Sequence, residues 1–408
     1  MNILKKNIGY LFIGNIISQI ISLIGIVYIP KIMGVENYGI FQIILNFIAM
    51  FSILTLPGFD RANINEIIKD KLDVNEVLNK NINLNYIVSI IGSLLISILA
   101  FILYKNTIII SGIILLSLTI IIVSIKTTIE TIYKINEKLK YVALFSILNS
   151  LLITTGTLVI INLTDNIVTL LLWQVISQVL LFTIVKINLK NVFKFRTPFK
   201  VGFPNKIQMI RGGNYTIINV LNIVGSKIDI FMLSLLTNPI EVGIYALAQR
   251  FFEKSKLFGN AVNDALFPNY SKKKFNNFKI IYKHAVTLTL IGAGTGLLLY
   301  FTSKFVITNY IGTNFLSSID LIKVLSINFI FGFSTIPFGS YLEVSGNEKY
   351  VIQIKSFRAI LNILLNLVFY FKYGLIGVAY STIACTLIQA FLTIYIARVI
   401  FKRNQNLL

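Results

Sequence analysis

Cysteine and histidine are almost absent from this chain: Cys385 and His284 are the only ones in 408 residues. One cysteine excludes an intramolecular disulfide and any cysteine-based metal site. One histidine, following a basic stretch, excludes a His-rich ligand set and reads as an interface residue. Acidic residues are scarce as well, 16 against 37 Lys and Arg, which leaves a formal net charge of +21. No P-loop, no G-x-G-x-x-G between a strand and a helix and no H-E-x-x-H occurs, so neither nucleotide nor metal is expected and no cofactor is implied. No basic groove with regularly interleaved aromatics is present, so nucleic acid is not an expected partner.

What is abundant is hydrocarbon. Hydrophobic residues make up 56% of the chain, charged residues 13%, and the mean hydropathy is +0.80. That balance excludes a soluble globular domain and predicts an all-α polytopic membrane protein. Apolar runs long enough to cross a bilayer as helices number about twelve. They fall near 8–30, 38–58, 83–104, 107–126, 141–163, 166–186, 212–236, 242–263, 284–303, 318–342, 350–371 and 375–398. The first follows Lys5-Lys6 and imitates a secretory signal, yet it is too long and lacks a small-x-small cleavage site, so it is expected to stay as a span.

Alternate connections sort sharply by charge. One side collects Lys5, Lys6, Arg61, Lys69, Lys71, Lys80, Lys134, Lys138, Lys140, the run from Lys186 to Arg211, Lys272 to Lys283, Lys349, Lys402 and Arg403. The other has little beyond Lys31, Lys105, Lys304 and Lys372. The positive-inside rule then predicts a multi-pass protein of the cytoplasmic membrane with both termini in the cytoplasm. Asp60 to Lys80 has apolar residues at helical spacing and is expected to lie on the inner surface as an amphipathic helix.

The two halves echo each other. Tyr38-Gly39-Ile40-Phe41 parallels Val242-Gly243-Ile244-Tyr245, half the chain later, and Asn136-Glu137-Lys138 parallels Asn347-Glu348-Lys349. Six spans repeated in one orientation predict an N-terminal lobe over 1–190, a basic cytoplasmic linker over 191–211 and a C-terminal lobe over 212–408, facing each other across a cleft.

Charges inside the spans single out candidate site residues. Lys227 lies nine residues before the end of its run at Leu236, and Arg250 eight after the start of the next at Val242. Both therefore sit roughly 12–14 Å below one membrane surface. A cation at mid-span costs about 2.5–3.5 kcal/mol on insertion scales, so it is expected to face a polar interior. Two cations at one depth read as an anion site, joined by Lys254 and Arg358. The alternative is purely structural: Lys227 pairing with Asp229 and Arg250 with Glu253 to lock two helices. Asp229, Glu253 and Asp264 either balance these cations or bind a coupling proton or sodium ion. Gly292, Gly294 and Gly296 read as a helix-packing stripe.

Several segments carry a family resemblance: Pro30-Lys31-Ile32-Met33-Gly34-Val35-Glu36-Asn37-Tyr38-Gly39-Ile40-Phe41, Gly243-Ile244-Tyr245-Ala246-Leu247-Ala248, Leu266-Phe267-Pro268-Asn269-Tyr270-Ser271 and Tyr373-Gly374-Leu375-Ile376-Gly377-Val378-Ala379. The chain resembles the Wzx-type polysaccharide repeat-unit flippases, polysaccharide biosynthesis proteins of the multidrug/oligosaccharidyl-lipid/polysaccharide exporter superfamily. The resemblance implies a MATE-like V-shaped central cleft between two six-helix lobes. As cargo it implies a polyprenyl-pyrophosphate-linked oligosaccharide moved to the outer leaflet for surface polysaccharide such as O-antigen. Membrane lipids and other glycan-assembly membrane proteins are the implied surroundings. Related lipid II flippases look similar in carrying arginines in the first two spans, but here Ile8 to Pro30 and Tyr38 to Gly58 hold no charge. The N-terminal lobe is then left to supply polar sugar contacts, for which Asn15, Ser18, Gln19, Gln42 and Asn46 are the candidates. An ion-coupled drug or cation antiporter of the same superfamily would need a mainly acidic cavity. A membrane glycan polymerase or ligase would ordinarily show a large outer loop with catalytic groups, so an enzyme is not expected.

Overall fold

The computed structural model describes residues 2–55, 64, 67, 74–164, 166–193, 203–204, 206–272 and 278–405. Most of the expected surface helix over 60–80 and the linker residues 194–202 and 205 lie outside these residues, as do Lys273 and Lys274. Eleven long helices are present among the described residues. They are α1 (Asn2–Phe51), α2 (Val74–Leu103), α3 (Thr107–Ile135), α4 (Leu139–Leu163), α5 (Ile167–Phe193), α6 (Lys206–Leu236), α7 (Pro239–Lys272), α8 (Phe278–Val306), α9 (Ser317–Val344), α10 (Glu348–Tyr373) and α11 (Leu375–Gln405). In hydrocarbon every backbone N–H and C=O must be satisfied within the segment, and helices are the simplest way to do it.

The expected count of twelve is recovered because α1 is two helices broken at Gly34 (φ 71°, ψ 169°). The sequence suggested a loop from Pro30 to Asn37, but the break occupies one residue, whose backbone conformation glycine alone adopts without strain. Among the described residues ten helices are long and apolar enough to cross a membrane, α1 counted once. The helix missing from that set is α7, whose charged middle lowers its hydropathy.

Helix starts repeat one device. Asn106 Oδ1 accepts from the amides of Ile108 (2.9 Å) and Ile109 (3.3 Å) ahead of α3, and Asn166 Oδ1 from Val168 N (2.8 Å) at the start of α5. Asn238 Oδ1 accepts from Glu241 N (3.0 Å) with Pro239 in the first helical position of α7. Each satisfies an amide that the helix cannot.

Two compact units divide the chain, residues 1–223 and 224–408, with the boundary inside α6. In the first unit α1 packs on α4, α2 on α3, and α3 on α5. Polar pairs stitch these contacts: Asn85 Nδ2 donates to Thr128 Oγ1 (2.7 Å), Ser93 to Ser117 (2.8 Å) and Gln174 to Thr157 (2.9 Å). Lys126 is buried and lies 3.8 Å from Glu130, one turn along α3.

In the second unit α8 lies along α9, and α9 and α10 both pack on α11. Gly292 and Gly296 make the first contact possible: a Cβ on Gly296 would meet the Ser326 carbonyl at 2.6 Å, and one on Gly292 would collide with that of Phe329. Gly294 faces open space and takes no part.

One helix end in each unit closes in the same way. In unit 1 Lys138 N donates to Tyr133 O (2.9 Å) and Glu137 N to Lys134 O (3.2 Å). In unit 2 Asn347 N donates to Leu342 O (2.9 Å) and Gly346 N to Glu343 O (3.2 Å). These are the same αL-terminated cap, with φ of 54° at Glu137 and 76° at Gly346. Glu137 thus corresponds to Gly346, not to Glu348 as the matching letters suggested. A buried cluster sits beside each cap, around Tyr133, Phe145 and Val185 in one unit and Phe338, Tyr341 and Phe401 in the other.

Candidate functional site

The charged middle of the second unit is built by α6, α7, α10 and α11. Asp229 on α6 is buried, with 5% of its surface exposed, and its carboxylate is closely ringed. Oδ1 accepts from Asn366 Nδ2 of α10 (2.8 Å); Oδ2 accepts from the Tyr245 hydroxyl of α7 (3.0 Å) and from Thr382 Oγ1 of α11 (3.1 Å). A further layer supports these donors. Ser381 bonds the Asn366 side-chain oxygen, and Asn366 Nδ2 also lies 3.4 Å from Asn362 Oδ1. One carboxylate is therefore held by four helices amid amide and hydroxyl oxygens. Such a cage fixes the carboxyl group in place, and its oxygens are the ligand type that hard cations use.

Lys227, two residues earlier on α6, is on a different side of the helix. Its Nζ donates to both Glu253 oxygens of α7, at 3.0 and 3.4 Å, with side-chain exposures of 26% and 27%. The structural alternative raised by the sequence named the wrong partner for Lys227: the bridge crosses between helices to Glu253, while Asp229 turns inward to its own cage. The pair is part-hydrated, and its contribution to stability is correspondingly modest.

Arg250 and Lys254 lie one turn apart on α7, both half-buried, and flank Glu253. Lys256 on the same helix places its ammonium 4.3 Å over the Phe252 ring, a cation–π contact that helps hold a cation away from bulk water. Arg358 of α10 directs Nη2 to Thr386 Oγ1 of α11 at 3.4 Å. The side chain of Asp264 lies outside the described residues. Counting charge among the described side chains, Lys227, Arg250, Lys254, Lys256 and Arg358 stand with Asp229 and Glu253 as carboxylates on the same helices near them. The region is net cationic.

In the first unit the five polar candidates are spread over both halves of α1. Ser18 is buried and its hydroxyl meets Ser146 of α4 at 3.2 Å, a helix-joining contact. Gln42 and Asn46 are buried one turn apart on the second half of α1, Gln19 is half-buried, and Asn15 is exposed.

Tyr245, Asn362, Asn366, Ser381 and Thr382 were not singled out from the sequence. Asn362 and Asn366 are four apart in an otherwise apolar run, which is a detectable signal for one polar helix face. Ser381 and Thr382 give no such signal, because a hydroxyl in a membrane helix usually bonds its own backbone.

A chain of two helical units with many apolar spans and a cationic, partly exposed centre in one unit is a multi-pass membrane protein. Residues 4–274 match the polysaccharide biosynthesis protein family, and the chain belongs to that family. It is 23% identical over 397 residues to the capsular polysaccharide biosynthesis protein CapF of Staphylococcus aureus, covering 92% of this chain and 94% of that one. Among solved structures it is similar to the lipid II flippase MurJ in an inward closed conformation. That match has a TM-score of 0.78 and 17% identity, and covers 95% of this chain and 87% of the other. An inward-facing multidrug resistance MATE transporter is also similar, at a TM-score of 0.75 and 13% identity over 96% and 95%. These likenesses establish the fold.

Proposed function

We propose that this protein is a flippase that carries a polyprenyl-pyrophosphate-linked oligosaccharide across the cytoplasmic membrane by alternating access, in the assembly of a surface polysaccharide. The observation that carries the reading is the surplus of cations on α6, α7 and α10, set within membrane helices where such charge is costly. A pyrophosphate supplies the missing negative charge. Arg250 offers it a planar two-pronged donor, and Lys254 and Lys227 supply point charges. Arg358 extends the positive field toward α11. The Lys227–Glu253 bridge then holds the Lys227 ammonium in register with the α7 cations.

Family membership and the likeness to CapF support a role in glycan assembly. The likeness to a lipid II flippase supports a lipid-linked cargo. In this reading the protein moves its cargo without covalent chemistry. The polar groups Asn15, Ser18, Gln19, Gln42 and Asn46 remain candidates for sugar contacts from the first unit. The distribution of Lys and Arg supports cytoplasmic termini. Asp229, caged by Tyr245, Asn366 and Thr382, is the candidate coupling group for a proton or sodium ion; Glu253 is engaged with Lys227.

The test is surface glycan in cells expressing Lys227→Ala with Arg250→Ala, alongside a measure of protein in the membrane. Loss of glycan at an unchanged protein level is expected. Normal glycan in the double variant would remove the anion site.

A further inference from the structure

A cavity of about 270 Å³ lies in the second unit among α9, α10 and α11. That is just under the roughly 300–1,000 Å³ of pockets that take drug-sized ligands, so it suits one small ring and not a chain of them. Gly332 and Gly339 line it from α9, and a Cβ built on either meets nothing within 4 Å. The remaining walls are of two kinds. Ile336, Val351 and Ile354 give an apolar surface, and Thr335, Glu343, Lys355, Gln389 and Thr393 give a polar one.

The polar wall mixes donors with acceptors. Thr335 and Thr393 give their protons to the Gly332 and Gln389 carbonyls, both at 2.8 Å, and keep lone pairs to offer. Glu343 and Lys355 act on each other, yet an ammonium carries three N–H groups and a carboxylate about four lone-pair directions, more than one pairing uses. The Gln389 amide adds further N–H donors. A hydroxyl both donates and accepts, so several hydroxyls on one ring match this wall, and the C–H face of a sugar ring matches the aliphatic one.

The position of the cavity says which sugar. Lys355 lies three residues before Arg358 on α10 and Gln389 three after Thr386 on α11, a rise of about 4.5 Å in each case. Arg358 and Thr386 are themselves in contact at 3.4 Å. The cavity therefore adjoins the cationic cluster at Arg358, about one helical turn away along both helices.

We propose that this cavity is the subsite for the sugar joined directly to the pyrophosphate of the cargo. The ring lays its apolar face on Val351 and Ile354, its hydroxyls meet Thr335, Thr393, Gln389 and the Glu343–Lys355 pair, and Arg358 meets the adjoining phosphate. The subsite rests on the flippase reading and deepens it, because it gives the second unit a role in recognising the glycan as well as the pyrophosphate.

The experiment is native mass spectrometry of the full chain titrated with a polyprenyl pyrophosphate and with the same lipid linked to a single glucose or N-acetylglucosamine. Gly339→Leu puts a side chain into the cavity from a position where a Cβ meets nothing. It is expected to weaken the sugar-linked lipids about tenfold while leaving the bare lipid and the thermal midpoint unchanged. Thr335→Val with Thr393→Val keeps the shape of the wall and removes its hydroxyls, and is expected to weaken the sugar-linked lipids several-fold, again without effect on the bare one. Arg250→Gln is expected to weaken all the lipids alike. If Arg250→Gln does so while the cavity variants leave the sugar-linked lipids untouched, or weaken bare and sugar-linked lipids equally, the subsite is overturned and the anion site stands. If the natural chain binds none of these lipids, the flippase reading falls and the subsite with it.

Discussion

Replacing Asp229 separates two roles that one residue combines. Asp229→Ala removes the acceptor for Asn366, Tyr245 and Thr382, all within 3.1 Å, in a site only 5% exposed. Side-chain hydrogen bonds inside membrane proteins average about 0.6 kcal/mol and reach about 1.7. Three such bonds, with their donors left buried, give a loss of about 2–5 kcal/mol. At roughly 2–4 °C per kcal/mol for a unit of this size, the midpoint of thermal unfolding falls by about 4–20 °C. Asp229→Asn behaves differently. Its oxygen still accepts from Asn366, and the Tyr245 and Thr382 hydroxyls can rotate to accept from the new amide, so the loss is expected to stay under about 1 kcal/mol. The charge is gone all the same, and ion-driven export is expected to stop. Thermal unfolding of the purified variants, paired with surface glycan in cells, reads both effects. Equal destabilisation by Asn and Ala would refute the cage geometry. Full export by a stable Asp229→Asn would refute a coupling role.

Three further outcomes follow from the packing and the bridge. Gly296→Leu is expected to force α8 from α9, since even a Cβ there meets the Ser326 carbonyl at 2.6 Å; a loss of about 1–3 kcal/mol should appear in thermal unfolding, while Gly294→Leu is expected to be near neutral. Glu137→Gly relieves a left-handed backbone at φ 54° and is expected to stabilise by up to about 1 kcal/mol, whereas Gly346→Ala is expected to destabilise by about 1–2. For Lys227→Ala and Glu253→Ala, a double-mutant cycle on unfolding is expected to give a coupling of only about 0.2–1 kcal/mol, because the pair is part-exposed.

The spans were legible because bilayer thickness imposes a run length that hydropathy reads directly. The kink in α1 was not, since Pro30 to Asn37 looks like a polar loop and only the torsion at Gly34 confines the break to one residue. The charges at Lys227, Asp229, Arg250 and Arg358 were conspicuous for their cost in lipid. Their pairing was hidden: Lys227 is 26 positions from Glu253, and Asp229 is 137 from Asn366 and 153 from Thr382. Such contacts depend on which helix faces which, and periodicity within a single span carries no trace of that.

The central claim is that the cations of α6 and α7 hold a pyrophosphate during transfer. Its most direct measurement is translocation of a purified polyprenyl-pyrophosphate-linked oligosaccharide in proteoliposomes, comparing the natural chain with Arg250→Gln and with Lys227→Gln combined with Glu253→Gln. Transfer by the natural chain that falls at least tenfold in Arg250→Gln, together with weaker binding of the pyrophosphate lipid, is the predicted result. Undiminished transfer with neutral side chains at both places would contradict it.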